Sequence, residues 1–219
     1  MKKKVIILII AVIVVIASVI TVIALNKKDN NCNQSALTFK EEYEKYNNKK
    51  ITIESKKYKL TSLSISETNP MKKIAKDKLI NTLTKSTGVV FFTSPIDFVS
   101  REMIPVILST SKNYDCDVIY YYDIDELTDN ETKNELTNIL QKKNIASLQN
   151  GTILFIQKGK IKEFQVGISK DYKYGKKISE EDKKTLSRTI KNGFNSINSN
   201  MCEKQTQCWK NLYYFKKLW

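Results

Sequence analysis

The run of 21 uncharged residues from Val5 to Leu25, relieved only by the mild polars Ser18 and Thr21, constrains this chain more than any other feature. At 1.5 Å per residue a helix of that length spans about 30 Å, the thickness of a bilayer's hydrocarbon core. Lipid offers the backbone no outside partners, so a helix is expected despite the many Val and Ile. A cleaved signal peptide is the rival reading. Its apolar region usually covers roughly 7–15 residues and ends in a small-x-small site. This run is longer and closes on Thr21-Val22-Ile23-Ala24-Leu25, without that site. Lys2, Lys3 and Lys4 precede the span and Lys27 and Lys28 follow it. The positive-inside rule then favours residues 1–4 in the cytoplasm, residues 5–25 as a retained single pass, and the rest outside the cell membrane.

Histidine is absent, which excludes imidazole acid-base chemistry, Ser-His-Asp and Cys-His nucleophiles and mixed Cys/His zinc sites. The four cysteines, Cys32, Cys116, Cys202 and Cys208, all follow the apolar run, on the side where disulfides are permitted. Cys202–Cys208 is the closer pair, and Cys32–Cys116 a second candidate, with connectivity open among three possibilities. The net charge of +14 concentrates late in the chain: residues 158–219 hold 15 Lys+Arg against 6 Asp+Glu. With that part outside the membrane, anionic lipid headgroups or wall polymers are the expected counter-charges, not nucleic acid.

Beyond a tether at 26–33, Phe39 to Tyr46 suggests a short helix, and residues 51–65 one or two extended segments. Pro70 can open a helix that runs with Met71, Ile74, Leu79 and Leu83 to Lys85. Val89-Val90-Phe91-Phe92 is short, wholly apolar and partly β-branched, the pattern of a central strand covered on both faces. A turn at Ser94-Pro95 leads into a helix from Phe98 to Ser109 with Pro105 inside it. A strand at 118–122, a helix at 132–141, two strands at 152–157 and 161–167 and a helix at 185–197 complete the order β-α-β-α-β-β-α. That order implies a mixed sheet with helices on its faces.

In order and spacing, the stretch from Val89 to Pro105 resembles the thioredoxin family's strand, turn, Cys-x-x-Cys, helix and kinking proline. Phe92 falls on the aromatic closing the strand, Asp97 and Ser100 on the two redox cysteines, and Pro105 on the helix proline. Downstream, Gly151-Thr152-Ile153-Leu154-Phe155-Ile156 resembles the family's cis-proline, threonine and apolar strand, with Gly151 on the proline and Gly159 on the hairpin glycine. The resemblance implies an α/β fold, a thioredoxin-like mixed central sheet flanked by helices, preceded here by one transmembrane helix. It covers residues 87–197, with 26–86 as tether and N-terminal extension and 198–219 as a basic, aromatic tail. The looser pattern is also similar to membrane-anchored thioredoxin-like proteins of Gram-positive bacteria, including accessory proteins of bacteriocin export.

The same alignment removes the family's chemistry. Thiol–disulfide exchange needs an attacking thiolate and a second sulfur within reach, and Asp97 and Ser100 supply neither. Asp97 also suits a helix start simply by accepting from free N–H groups. The acids at 123, 125 and 129 lack the glycine and closing glutamate of a calcium loop, so no metal is expected, and no cofactor either. What remains is a rim on which family members hold substrate peptides: Pro95, Ile96, Asp97, Phe98, Ser100, Gly151 and Thr152. The sequence thus predicts a redox-inactive, membrane-anchored binding or accessory protein with a protein or peptide partner outside the membrane. An atypical thiol oxidoreductase using Cys202 and Cys208, and a structural envelope protein resting its basic tail on lipid, are the alternatives.

Overall fold

The computed structural model describes residues 34–114 and 118–197. Among them no helix is long and apolar enough to cross a membrane, and the run at 5–25 lies outside them. This corrects the expected architecture. The described fold is a thioredoxin-like sheet domain with no membrane span in it. The predicted lipid partner, single-pass location and membrane-anchored function rested on that run, and no membrane-spanning helix among the described residues supports them.

Helix α1 covers 34–44, and a hairpin follows, β1 (Lys50–Ile53) and β2 (Lys56–Lys59). Then come β3 (Met71–Lys73), α2 (Lys76–Thr84), β4 (Gly88–Thr93), α3 (Phe98–Ser111), β5 (Ile119–Asp123), α4 (Asn130–Gln141), β6 (Thr152–Gln157), β7 (Lys160–Val166) and α5 (Glu180–Ser196). The main sheet has the order β3-β5-β4-β6-β7. Its first three strands run parallel and its last two pair antiparallel. That order and those directions are the thioredoxin arrangement.

Alternation along the strands splits the core in two. Val89 and Phe91 of β4, Ile119 and Tyr121 of β5 and Ile153 and Phe155 of β6 face α1, α3 and α5. Val90, Phe92, Tyr120, Tyr122, Leu154 and Ile156 face α2 and α4. Every residue of β4 is buried, as its unbroken apolar run requires. The result is three layers, helices on both faces of a sheet.

The helix expected from Pro70 is replaced over its first turn by strand β3. Met71 pairs with Ile119 and Lys73 with Tyr121, and only from Lys76 does the chain turn helical. The sheet therefore takes one edge from residues ahead of 87. Residues 34–65 are also built into the domain: Phe39, Tyr43, Leu63 and Ile65 are core residues, and the Phe39 and Tyr121 rings meet edge-on at 4.8 Å.

The caps explain where the helices start. Asp97, Asp129 and Ser179 each accept from the backbone N–H three residues on, at Ser100, Thr132 and Asp182. Ser179 moves the start of the last helix five residues ahead of the Thr185 read from its apolar stripe.

Candidate functional site

The turn between β4 and α3 holds most of the rim residues expected from the sequence, and it is drawn inward. Ser94 is fully buried, and its hydroxyl donates to Asp125 Oδ2. Ser100, also fully buried, accepts from the Ser94 N–H at 3.4 Å. Asp97 accepts from the Ser100 N–H at 2.7 Å. Burial holds its carboxyl above the ordinary aspartate range and the Asp125 charge adds to that, while the bonds from Ser100 pull it back down. The Asp97 and Ser100 side chains thus hold the turn and the start of the helix.

Phe98 is buried, not on the rim: its ring meets Tyr58 of β2 edge-on at 6.0 Å and Tyr174 at 5.8 Å. Pro95 is half-buried, and Ile96 is the large apolar side chain the turn leaves to solvent, at 38% exposure.

Gly151 is the residue the sequence resemblance sets at the family's cis-proline, and no peptide bond among the described residues is cis. Its φ of +76° lies in the left-handed region that glycine adopts without strain. Its N–H donates to the Phe92 carbonyl at 2.9 Å, and its own carbonyl accepts from the Gly167 N–H at 3.0 Å. A Cβ here would lie 2.5 Å from Val99 Cγ1 and 3.1 Å from Met103 Sδ, so the backbone presses directly on the first turns of α3. Gly151 thus packs against the helix that follows Ile96 and Asp97, and both it and Thr152 are buried, not exposed on a rim. On either side of Gly151, Asn150 Oδ1 and Thr152 Oγ1 are buried without a hydrogen-bond partner among the described residues.

The group that sequence reasoning missed is Arg101. Its side chain is wholly buried, and no carboxylate pairs with it among the described residues. Instead Nε donates to the Thr61 carbonyl at 2.7 Å, Nη1 to the carbonyls of Tyr43 and Pro95 at 2.8 Å each, and Nη2 to Asn47 Oδ1 at 2.6 Å. Glu102 beside it accepts from the Thr61 hydroxyl and from the Ile178 N–H at 3.0 Å. One planar fork thus joins the end of α1, the loop after β2 and the exposed turn. The signal was there: the chain has two arginines, and Arg101-Glu102 is a charged pair inside an otherwise apolar helix.

On the neighbouring strand end, Asp123 accepts from the Asp125 N–H at 3.0 Å. Burial, then the charges of Asp125 and Glu126, lift its carboxyl to about 6. No group of Asp, Glu, Cys or His among the described residues is placed to hold a metal ion. All four cysteines and the basic aromatic tail at 198–219 lie outside the described residues.

No family model and no curated protein matches the chain. It is similar to solved thioredoxins. Thioredoxin O2 from Arabidopsis thaliana, in its oxidized state, is 25% identical over 46% of this chain and 85% of its own, with a TM-score of 0.33. Thioredoxin NaTrxh from Nicotiana alata is 23% identical over 59% of this chain and 97% of its own, with a TM-score of 0.36. The thioredoxin-like fold itself rests on the strand order and directions described above, and neither similarity supports the likeness to bacteriocin-export proteins.

Proposed function

We propose that this domain is a non-redox polypeptide-binding module that holds an extended segment of a partner along the rim formed by Pro95, Ile96 and Asp97 on one side and Gly151 and Thr152 on the other. The observation that carries the reading is an exposed apolar side chain, Ile96, on a turn whose Pro95 carbonyl is held from beneath by Arg101. Arg101 supports the reading from beneath, because a turn fixed before binding loses little freedom on binding. Ser100 and Phe98 serve as the floor of this rim. The replacement of both family sulfurs by Asp97 and Ser100, each engaged in capping or turn bonds, argues against catalysis there.

The test is equilibrium binding of the full chain to peptides selected against it from a random library, together with a disulfide-reduction assay. Changing Ile96→Asp is expected to weaken the selected peptides about tenfold, since it replaces an apolar anchor by a charge. No turnover of a disulfide substrate is expected. Unchanged peptide affinity in the Ile96 variant, or turnover of the disulfide substrate that alkylation of the cysteines abolishes, would overturn the reading.

A further inference from the structure

We infer that the partner segment is acidic, and that it is recognised by a lysine surface which the β1–β2 hairpin and the loop before α5 form beside the rim; this rests on the rim reading above. Two stretches far apart in the chain, 50–59 and 170–177, meet around one buried ring. Tyr58 of the hairpin and Tyr174 of the loop each pack on Phe98, and Phe98 directly follows Asp97 of the rim. Tyr174 stays 51% exposed.

Together the two stretches hold eight lysines against Glu54 and Asp171. Lys57 and Lys59 flank Tyr58. Lys173 precedes Tyr174, with Lys176 and Lys177 just after it, and all five are exposed. None of them enters an ion pair among the described residues. Lys59 stands directly across the hairpin from Lys50, an arrangement that destabilises a strand pair. The fold gains nothing from collecting like charges there, whereas an anionic partner would.

The charge pattern selects the kind of anion. On the other side of Phe98 the rim is acidic, with Asp97 near Asp125 and Asp123. A nucleic acid carries a phosphate at every step and meets that repulsion wherever it crosses. A polypeptide can place its Glu and Asp over the lysines and neutral or apolar residues over Ile96. Such a surface gives salt-dependent recognition and fast, steered association.

The probe is a synthetic peptide of repeated Glu-Glu-Phe, followed by fluorescence anisotropy with the full chain at low and high salt. A Lys-Lys-Phe repeat and a single-stranded oligothymidylate are the comparators. The Glu-Glu-Phe peptide is expected to bind best and to weaken with salt. The variant Lys57→Glu, Lys59→Glu, Lys176→Glu is expected to lose about tenfold in affinity. The Lys59→Glu change sets opposite charges across the hairpin from Lys50, so folding is spared, and circular dichroism checks it. Equal affinity for both peptides, no binding of Glu-Glu-Phe, or an unchanged triple variant overturns the inference. So does tighter binding of oligothymidylate through the same lysines. If Ile96→Asp abolishes binding while the lysine variant does not, the rim stands and the acidic partner falls. If only the lysine variant loses binding, the lysine surface stands and the rim reading falls.

Discussion

A single guanidinium decides how rigid the candidate site is. Arg101 satisfies the carbonyls of Tyr43, Thr61 and Pro95 and the amide oxygen of Asn47 at once. Removing it takes this donor from the Thr61 and Pro95 carbonyls, while Asn47 Oδ1 still accepts from the Leu63 N–H and the Tyr43 carbonyl from the Tyr46 N–H. Arg101→Met is expected to cost about 2–5 kcal/mol, since two carbonyls lose their donor at about 1–3 kcal/mol each, measured by urea unfolding. Arg101→Lys should keep most of that loss, because an ammonium on a flexible stem cannot span four acceptors in one plane. A Lys variant as stable as the parent would mean that charge, not the fork, is what matters. Asp123 supplies the pH dependence. Its carboxyl titrates at about 6 in the folded protein, above the 3.8 of an ordinary aspartate. Between those values the folded state binds the proton more tightly, so this group's contribution to stability is full below the lower value and falls as pH rises through the upper. Asp123→Asn keeps an acceptor for the Asp125 N–H and removes the charge. It should stabilise the protein at neutral pH by about 1 kcal/mol, with half-burial limiting the gain, and by nothing near pH 4. Unfolding midpoints across pH check this, and a gain that is the same at both ends would contradict it.

At the scale of elements, helix α5 is set by a missing side chain. A Cβ on Gly193 would lie 2.2 Å from the Phe155 ring, so only glycine lets the helix lie this close to β6. Alanine is the better helix former by about 1 kcal/mol. Gly193→Ala should nevertheless destabilise by about 1–3 kcal/mol through overpacking, and Phe155→Leu should recover part of the loss in the double variant. A stabilising Gly193→Ala in thermal melts would show that α5 stands further from the sheet. Elements of this kind differ in how far the chain announces them. Strand β4 is legible because four large apolar residues in a row have one use in a domain this size. The β6–β7 hairpin is legible from its apolar run and Gly159. Strand β3 is not: Met71 and Ile74 stand three apart and fit a helical stripe equally well, and the strand exists because β5, nearly fifty residues later, offers an open edge. Within the site, the roles of Asp97 and Ser100 as a cap and its partner follow from local spacing. The burial of Phe98 does not, because its cover comes from Tyr58 and Tyr174, which only the folded chain brings near. Arg101 escaped notice for the same reason, since all but one of its partners lie forty or more residues away.

At the scale of the whole molecule, the frame is a thioredoxin-like sheet whose turn between β4 and α3 is held by buried side chains. The N-terminal helix and hairpin are fastened to it from behind by Arg101, Glu102, Tyr43 and Tyr121, the last donating to Glu42 at 2.8 Å. What is left facing outward is a fixed turn tipped by Ile96, with the buried strand start at Gly151 behind it, and lysines on the flank. The account makes this face the binding surface. Amide hydrogen exchange of the full chain, with and without a bound selected peptide, tests that claim most directly. Protection is predicted to rise over residues 94–99 and 150–152, and to extend to residues 56–59 and 173–177 with an acidic peptide. Protection confined to α2, α4 and the β3 edge, with the 94–99 turn unchanged, would contradict the account.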